Sequence, residues 1–114
     1  MLINWQKCQG DVWGSLAHVD LSHSHFDNME GVYIIWQANG PVVRVGQGII
    51  RDRLNAHRND KTITAYPSLQ VTWAPVIALY RDGVEHYLAD ALKPVVGDKF
   101  PNVVPISIPL PWPW

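Results

Sequence analysis

The chain is poor in several things that would otherwise classify it. It has one cysteine, Cys8, which rules out an internal disulfide and any cysteine-rich zinc site. It has no excess of either charge: nine Lys and Arg against ten Asp and Glu leave a net charge of −1, so no global basic field advertises nucleic acid. It has no long apolar run. The best stretch, 71–80, is too short to span a bilayer and contains Thr72 and Pro75. Asn4, Gln6 and Lys7 interrupt the start before an apolar core of signal-peptide length can form. No internal repeat is present. These absences point to a soluble, cytoplasmic and reducing setting, and they exclude disulfide scaffolds and membrane spans.

What is present suits one globular domain. At 114 residues and 47% hydrophobic content, the chain can bury one core but not two. Of its nine basic residues, five (Arg44, Arg51, Arg53, Arg58 and Lys61) fall within 44–61, opposed there only by Asp52 and Asp60. That local excess can track a phosphate backbone, though a solvated helix face is the commoner explanation.

The clearest local structure is a hairpin over 31–46. Two β-rich runs flank Asn39-Gly40, a pair that tolerates the positive φ of a tight turn. Pro41 cannot donate a ladder hydrogen bond, so the loop is either two or four residues long. Either choice puts Tyr33 opposite Gly46 and Ile35 opposite Arg44. Side chains alternate along a strand, so Tyr33, Ile35 and Arg44 share a face, with Tyr33 and Arg44 diagonal neighbours about 7–8 Å apart.

After Gly46-Gln47-Gly48 the spacing predicts a helix over 49–59, with Ile50, Leu54 and His57 on its apolar stripe. Arg53 and His57, four apart, project from neighbouring turns. A third strand begins at Leu69 and runs in the alternating pattern toward Tyr80, with a bulge or edge exposure at Pro75; its expected neighbour is the first strand of the hairpin. A second helix is predicted over 82–92. Asp82 is its candidate N-cap, Glu85 stands at capping-box spacing, and Pro94 follows its end. Residues 1–30 show no sustained period. Their His18, His23 and His25 are too loosely spaced to define a zinc site. The end of the chain, with five prolines after residue 100, Trp112 and Trp114, favours extended backbone. It is either a recognition tail or an arm packed on its own domain.

Gly31-Val32-Tyr33, then Arg44-Val45-Gly46, then Arg53-Leu54 with His57 four residues after the arginine, form an ordered set. Glu85-His86-Tyr87-Leu88 and Leu92-Lys93-Pro94 extend it. Over 31–97 this set resembles the GIY-YIG nuclease family. The resemblance implies a small α+β fold, with a mostly antiparallel three-stranded sheet flanked by helices. It divides the single domain 1–114 into an N-terminal extension (1–30), a core (31–97) and a Pro/Trp-rich C-terminal arm (98–114). It also implies a DNA endonuclease in which Tyr33 is the general base, Arg53 holds the phosphate, and Glu85 binds one Mg²⁺ (or Mn²⁺). In that scheme His57 assists proton transfer or binds phosphate. Arg44, Gln47, Arg51, Arg58 and Lys61 are the remaining candidate DNA contacts.

The chain departs from the family at several points. Arg44 stands where the second tyrosine is expected, Gln47 replaces a basic residue, and Gly97 replaces an asparagine after the helix-ending proline. A cation diagonal to Tyr33 is expected to lower the phenol pKa and to grip phosphate. Two rivals share the fold: a silent nucleic-acid-binding module, and a protein-interaction domain working as a partner or homo-oligomer through the Pro/Trp arm.

Overall fold

The computed structural model describes residues 2–97 and 100–112. The elements, in chain order, are β1 (Gly14–Ser15), a 3₁₀ turn (Ser24–Phe26), β2 (Glu30–Gln37), β3 (Val42–Ile49), α1 (Ile50–Arg58), α2 (Lys61–Thr64), β4 (Leu69–Pro75) and α3 (Ala78–Leu92). The strands form one antiparallel sheet in the order β1-β4-β2-β3. The sheet therefore has four strands where three were expected. The extra one is two residues long, Gly14 and Ser15 pairing with Val71 and Gln70, and is too short to produce an alternating pattern.

β2 is central, and residues 31–36 are buried throughout, which is why Val32 to Trp36 reads as a continuous apolar run rather than an alternating one. Tyr33 lies opposite Gly46 and Ile35 opposite Arg44, as the hairpin pattern dictates. A bulge after Ile35 then pairs Trp36 with Val42. It absorbs the Pro41 constraint, and Asn39 takes the turn's left-handed conformation at φ 58. On its other side β2 pairs with β4, Tyr33 facing Trp73. β4 ends at Pro75 rather than continuing toward Tyr80. Val76 after it is still buried, but Ile77, the N-cap of α3, and Leu79, in its first turn, are exposed.

Each face of the sheet has its own core. On one, Tyr33, Ile35, Val71 and Trp73 pack with Ile50 and Leu54 of α1, Ile63 of α2, and Leu16, Leu21 and Phe26 of the N-terminal segment. On the other, Val32, Ile34, Val45 and Ala74 pack with Val84 and Leu88 of α3 and Ile108 of the C-terminal arm. The arm returns onto its own domain. Ile106 N donates to Gly83 O at 2.9 Å, and Trp112 stacks on Trp36 with centroids 4.3 Å apart. Trp114 lies outside the described residues.

Candidate functional site

The hairpin register puts Tyr33 and Arg44 on the face covered by α1. The Tyr33 ring lies across β3 over Gly46, where any Cβ would run into the phenol. Gly46 is thus what allows an aromatic ring on the neighbouring strand to cross this edge. Tyr33 is 1% exposed, and its Oη lies 2.5 Å from His57 Nε2. The α1 stripe that was legible in the sequence delivers this contact: Ile50, Leu54 and His57 are its buried residues.

Burial holds the His57 pKa down, to about 4, and the nearby Arg44 and Arg53 cations push the same way. The imidazole is therefore neutral near pH 7. For Tyr33, burial raises the pKa, while Arg53 and then Arg44 pull it back toward phenolate. The expected lowering by Arg44 is correct for that one pair, and its net consequence is overturned. Desolvation of a phenol with 1% exposure outweighs two cations held at a partly solvated edge. Two cations beside the phenol oxygen and a neutral imidazole favour the tautomer in which the Tyr33 hydroxyl donates and His57 Nε2 accepts.

Neither Arg44 nor Arg53 takes part in an ion pair among the described residues. Arg44 Nε is buried without a hydrogen-bond partner. The Arg53 stem lies where a side chain on Gly48 (φ 133) would project. Two half-buried cations thus approach one phenol with no carboxylate bound to either.

Glu85 reaches the same edge from the opposite face. It is 8% exposed, and its Oε1 accepts from Gln47 Nε2 at 3.2 Å. The same nitrogen donates to Asp82 Oδ1. Burial raises the Glu85 pKa; the Gln47 hydrogen bond and the Arg44 charge oppose that, and Asp82 adds to it. The capping-box role for Glu85 is overturned. α3 starts at Ala78 with Ile77 at the N-cap, so Asp82 and Glu85 are both inside the helix and one turn apart. The reason is propensity: Ala78, Leu79 and Arg81 favour helix and start it before Asp82 can cap it.

The other basic residues serve a different end. Arg51 donates to Leu21 O at 2.6 Å, His23 O at 3.0 Å and Asp27 Oδ1 at 2.8 Å. Arg58 donates to Leu16 O at 2.9 Å and Val19 O at 2.7 Å. Both hold the N-terminal segment against α1. Lys61 is exposed at the start of α2. The fold thus brings Tyr33, Arg44, Arg53 and His57 together on the α1 face, places Glu85 with Gln47 and Asp82 on the α3 face, where the Arg44 and Arg53 charges still act on the carboxylate, and leaves Arg51, Arg58 and Lys61 elsewhere. Asp82 and Gly97 were not foreseen as site residues. Asp82 had a competing reading as an N-cap, and Gly97 stood out only as a residue in place of an expected asparagine, with no role attached to it.

Among the histidines near the N-terminus, His25 Nε2 accepts from Trp73 Nε1 at 3.0 Å and His23 Nδ1 accepts from His25 N at 2.9 Å. These are structural contacts. Among the described residues no group of three or more His, Cys, Asp or Glu converges. A hard divalent ion does not need one: Mg²⁺ is commonly held by one or two carboxylates, with water and substrate phosphate completing its shell. Glu85 and Asp82, which both accept from the Gln47 amide nitrogen, are the two carboxylates that could hold such an ion. A buried carboxylate whose charge burial disfavours is also one that a cation would stabilise. Among the described residues no helix is long and apolar enough to cross a membrane. Compared with known proteins, the chain matches no family model, no curated protein and no solved structure.

Proposed function

We propose that this chain is a cytoplasmic, metal-dependent endonuclease of the GIY-YIG type that hydrolyses DNA phosphodiester bonds. The observation that carries the reading is the pair of guanidinium groups, Arg44 and Arg53, set around a buried tyrosine–histidine pair without an anionic partner among the described residues. Half-buried cations of this kind favour an oxyanion, and guanidinium geometry matches phosphate.

In this scheme Arg53 and Arg44 bind the nonbridging oxygens of the scissile phosphate. Doing so turns their hydrogen bonds from the phenol oxygen to the phosphate, with the guanidinium groups staying where they are, and leaves the phenol oxygen to the attacking water. Tyr33 accepts a proton from the attacking water as its own proton passes to His57, so no free phenolate has to form against its raised pKa. The hydroxide attacks phosphorus, the P–O bond to the 3′-oxygen breaks, and that oxygen leaves with the electron pair. Glu85, with Asp82 beside it, would hold Mg²⁺ or Mn²⁺, and the ion would supply charge stabilisation for the leaving oxygen. Gln47 sets the two carboxylates relative to one another.

The test is cleavage of plasmid and short duplexes with Mg²⁺ or Mn²⁺, beside Glu85→Ala. Cleavage that disappears in the variant supports the reading. Cleavage that persists refutes the assigned metal ligand, and absence of cleavage in the parent refutes the activity.

A second reading has one observation in its favour. Tyr33 is 1% exposed and its pKa is raised, as expected of a module that binds DNA without cutting it. Such a module would retain steep salt dependence of DNA affinity, with a slope of about −0.9 for each phosphate contact, and would show no turnover.

A further inference from the structure

Beyond the end of α3 the chain does not leave the site. Lys93 takes the left-handed conformation at φ 49, with its N–H donating to Ala89 O at 2.9 Å, and this turns the backbone back toward the sheet. Val95 N then donates to Val42 O at 3.1 Å, and Val96 N to Val43 O at 2.9 Å. Two consecutive hydrogen bonds thus tie residues 93–97 to the outer edge of β3. They end one residue short of Arg44 on the strand and one short of Gly97 on the strap.

Gly97 is constrained in two ways. Its φ is 98, a region that residues with a side chain rarely adopt. The place where its Cβ would project is filled by Arg44 Nη1, with the Phe100 ring beside it at 3.4 Å. The colliding atom belongs to the free end of a long side chain. A methyl group at residue 97 would therefore press on the guanidinium, and the positive φ would add backbone strain in the strap.

We propose that Gly97 is a positioning residue for Arg44. The strap 93–97, indexed to β3 by its two hydrogen bonds, leaves a side-chain-free slot that holds the Arg44 guanidinium in place as a second phosphate contact beside Arg53. This rests on the phosphodiester reading of the site and deepens it. The ligand is a phosphodiester anion whose two nonbridging oxygens are shared between two arginines, one set by α1 and the other by a glycine in the strap. Arg44 Nε, buried and unpartnered, is consistent with a guanidinium lodged by its surroundings rather than by an ion pair.

The experiment is a double-variant cycle on binding, without cleavage. Affinity for a fluorescent 15-base-pair duplex is measured in EDTA across a salt series for the parent, Gly97→Ala, Arg44→Ala and the double variant. We expect Gly97→Ala to weaken binding about tenfold, the effect of losing one charged hydrogen-bonding group. It should reduce the magnitude of the salt slope by about 0.9. In the Arg44→Ala background it should add almost nothing. Losses that multiply, or an unchanged slope in Gly97→Ala, would overturn the positioning role. A parent that shows no salt-dependent binding would sink the phosphodiester reading itself, which separates the two failures. Should Gly97→Ala not fold, the intact chain still decides the matter. Titration with inorganic phosphate should shift the Arg44 Nε–H signal and the Gly97 amide together in ¹⁵N spectra; an Arg44 signal that stays fixed overturns the proposal.

Discussion

His57 ties stability to pH through a contact that the site requires. In the unfolded chain its pKa is near the ordinary value of about 6.5. In the folded state burial, with Arg44 and Arg53, holds it at about 4. A histidine depressed on folding binds fewer protons when native, so stability is complete above the unfolded pKa and is lost as pH falls through the interval between the two values. At about 1.4 kcal/mol per pKa unit, moving from pH 7 to pH 5 lets the unfolded imidazole take up about 0.7 of a proton while the native one takes up about a tenth. The cost is about 2 kcal/mol, a sizeable part of a typical domain stability of 5–15 kcal/mol. Glu85, whose pKa is raised, works in the opposite direction in the acid range, and the lowered Asp20 and Asp60 work in the same direction as His57. The His57 share is therefore isolated by difference. Urea unfolding followed by tryptophan fluorescence at pH 7, 6 and 5 should give a steeper loss for the parent than for His57→Gln, which offers Tyr33 an acceptor that does not titrate. Parallel profiles, or a native His57 that titrates near 6.5 by NMR, would refute the reasoning.

Other consequences follow from single contacts. Tyr33→Phe removes the phenol that bonds to His57 and should cost about 1–2 kcal/mol in urea unfolding. Under the nuclease reading it should also lower the cleavage rate at least about 10²-fold; a variant of undiminished rate would remove Tyr33 from the chemistry. Gly46→Ala puts a methyl group into the Tyr33 ring and should destabilise by about 1–3 kcal/mol, so an unshifted urea midpoint would show that the ring does not cross that glycine. Arg51→Ala and Arg58→Ala each strip partners from N-terminal carbonyls. Each should cost about 1–2 kcal/mol and speed amide exchange over 16–29, while leaving the salt slope of duplex binding unchanged. A slope that drops by about one unit for either would make that arginine a phosphate contact after all.

Arg44 and Gly97 lie 53 positions apart and are neighbours in space. No spacing rule connects them. They meet because the strap after α3 is hydrogen-bonded to β3, a long-range contact that local pattern does not encode. The arginines at 51 and 58 make the same point from the other side. Their clustering in the chain suggested a phosphate track, yet the carbonyls that occupy them belong to a segment whose own sequence carries no period.

The features the sequence determined by itself are those whose cause lies within a few residues. The Tyr33–Gly46 register follows from alternation about Asn39-Gly40, and the buried stripe of α1 follows from helical spacing. A turn and a 3.6-residue period are local properties, and they placed a phenol, a guanidinium and an imidazole on one side of the sheet. Tertiary structure alone decided the rest: that α3 starts before Asp82 and sends Glu85 to Gln47, that the N-terminal segment and the C-terminal arm supply core residues, and that burial raises the Tyr33 pKa against two nearby cations. The physical reason is common to all three. Helix start, arm docking and pKa each depend on which groups lose water when distant segments close over them, and desolvation is a property of the assembled fold.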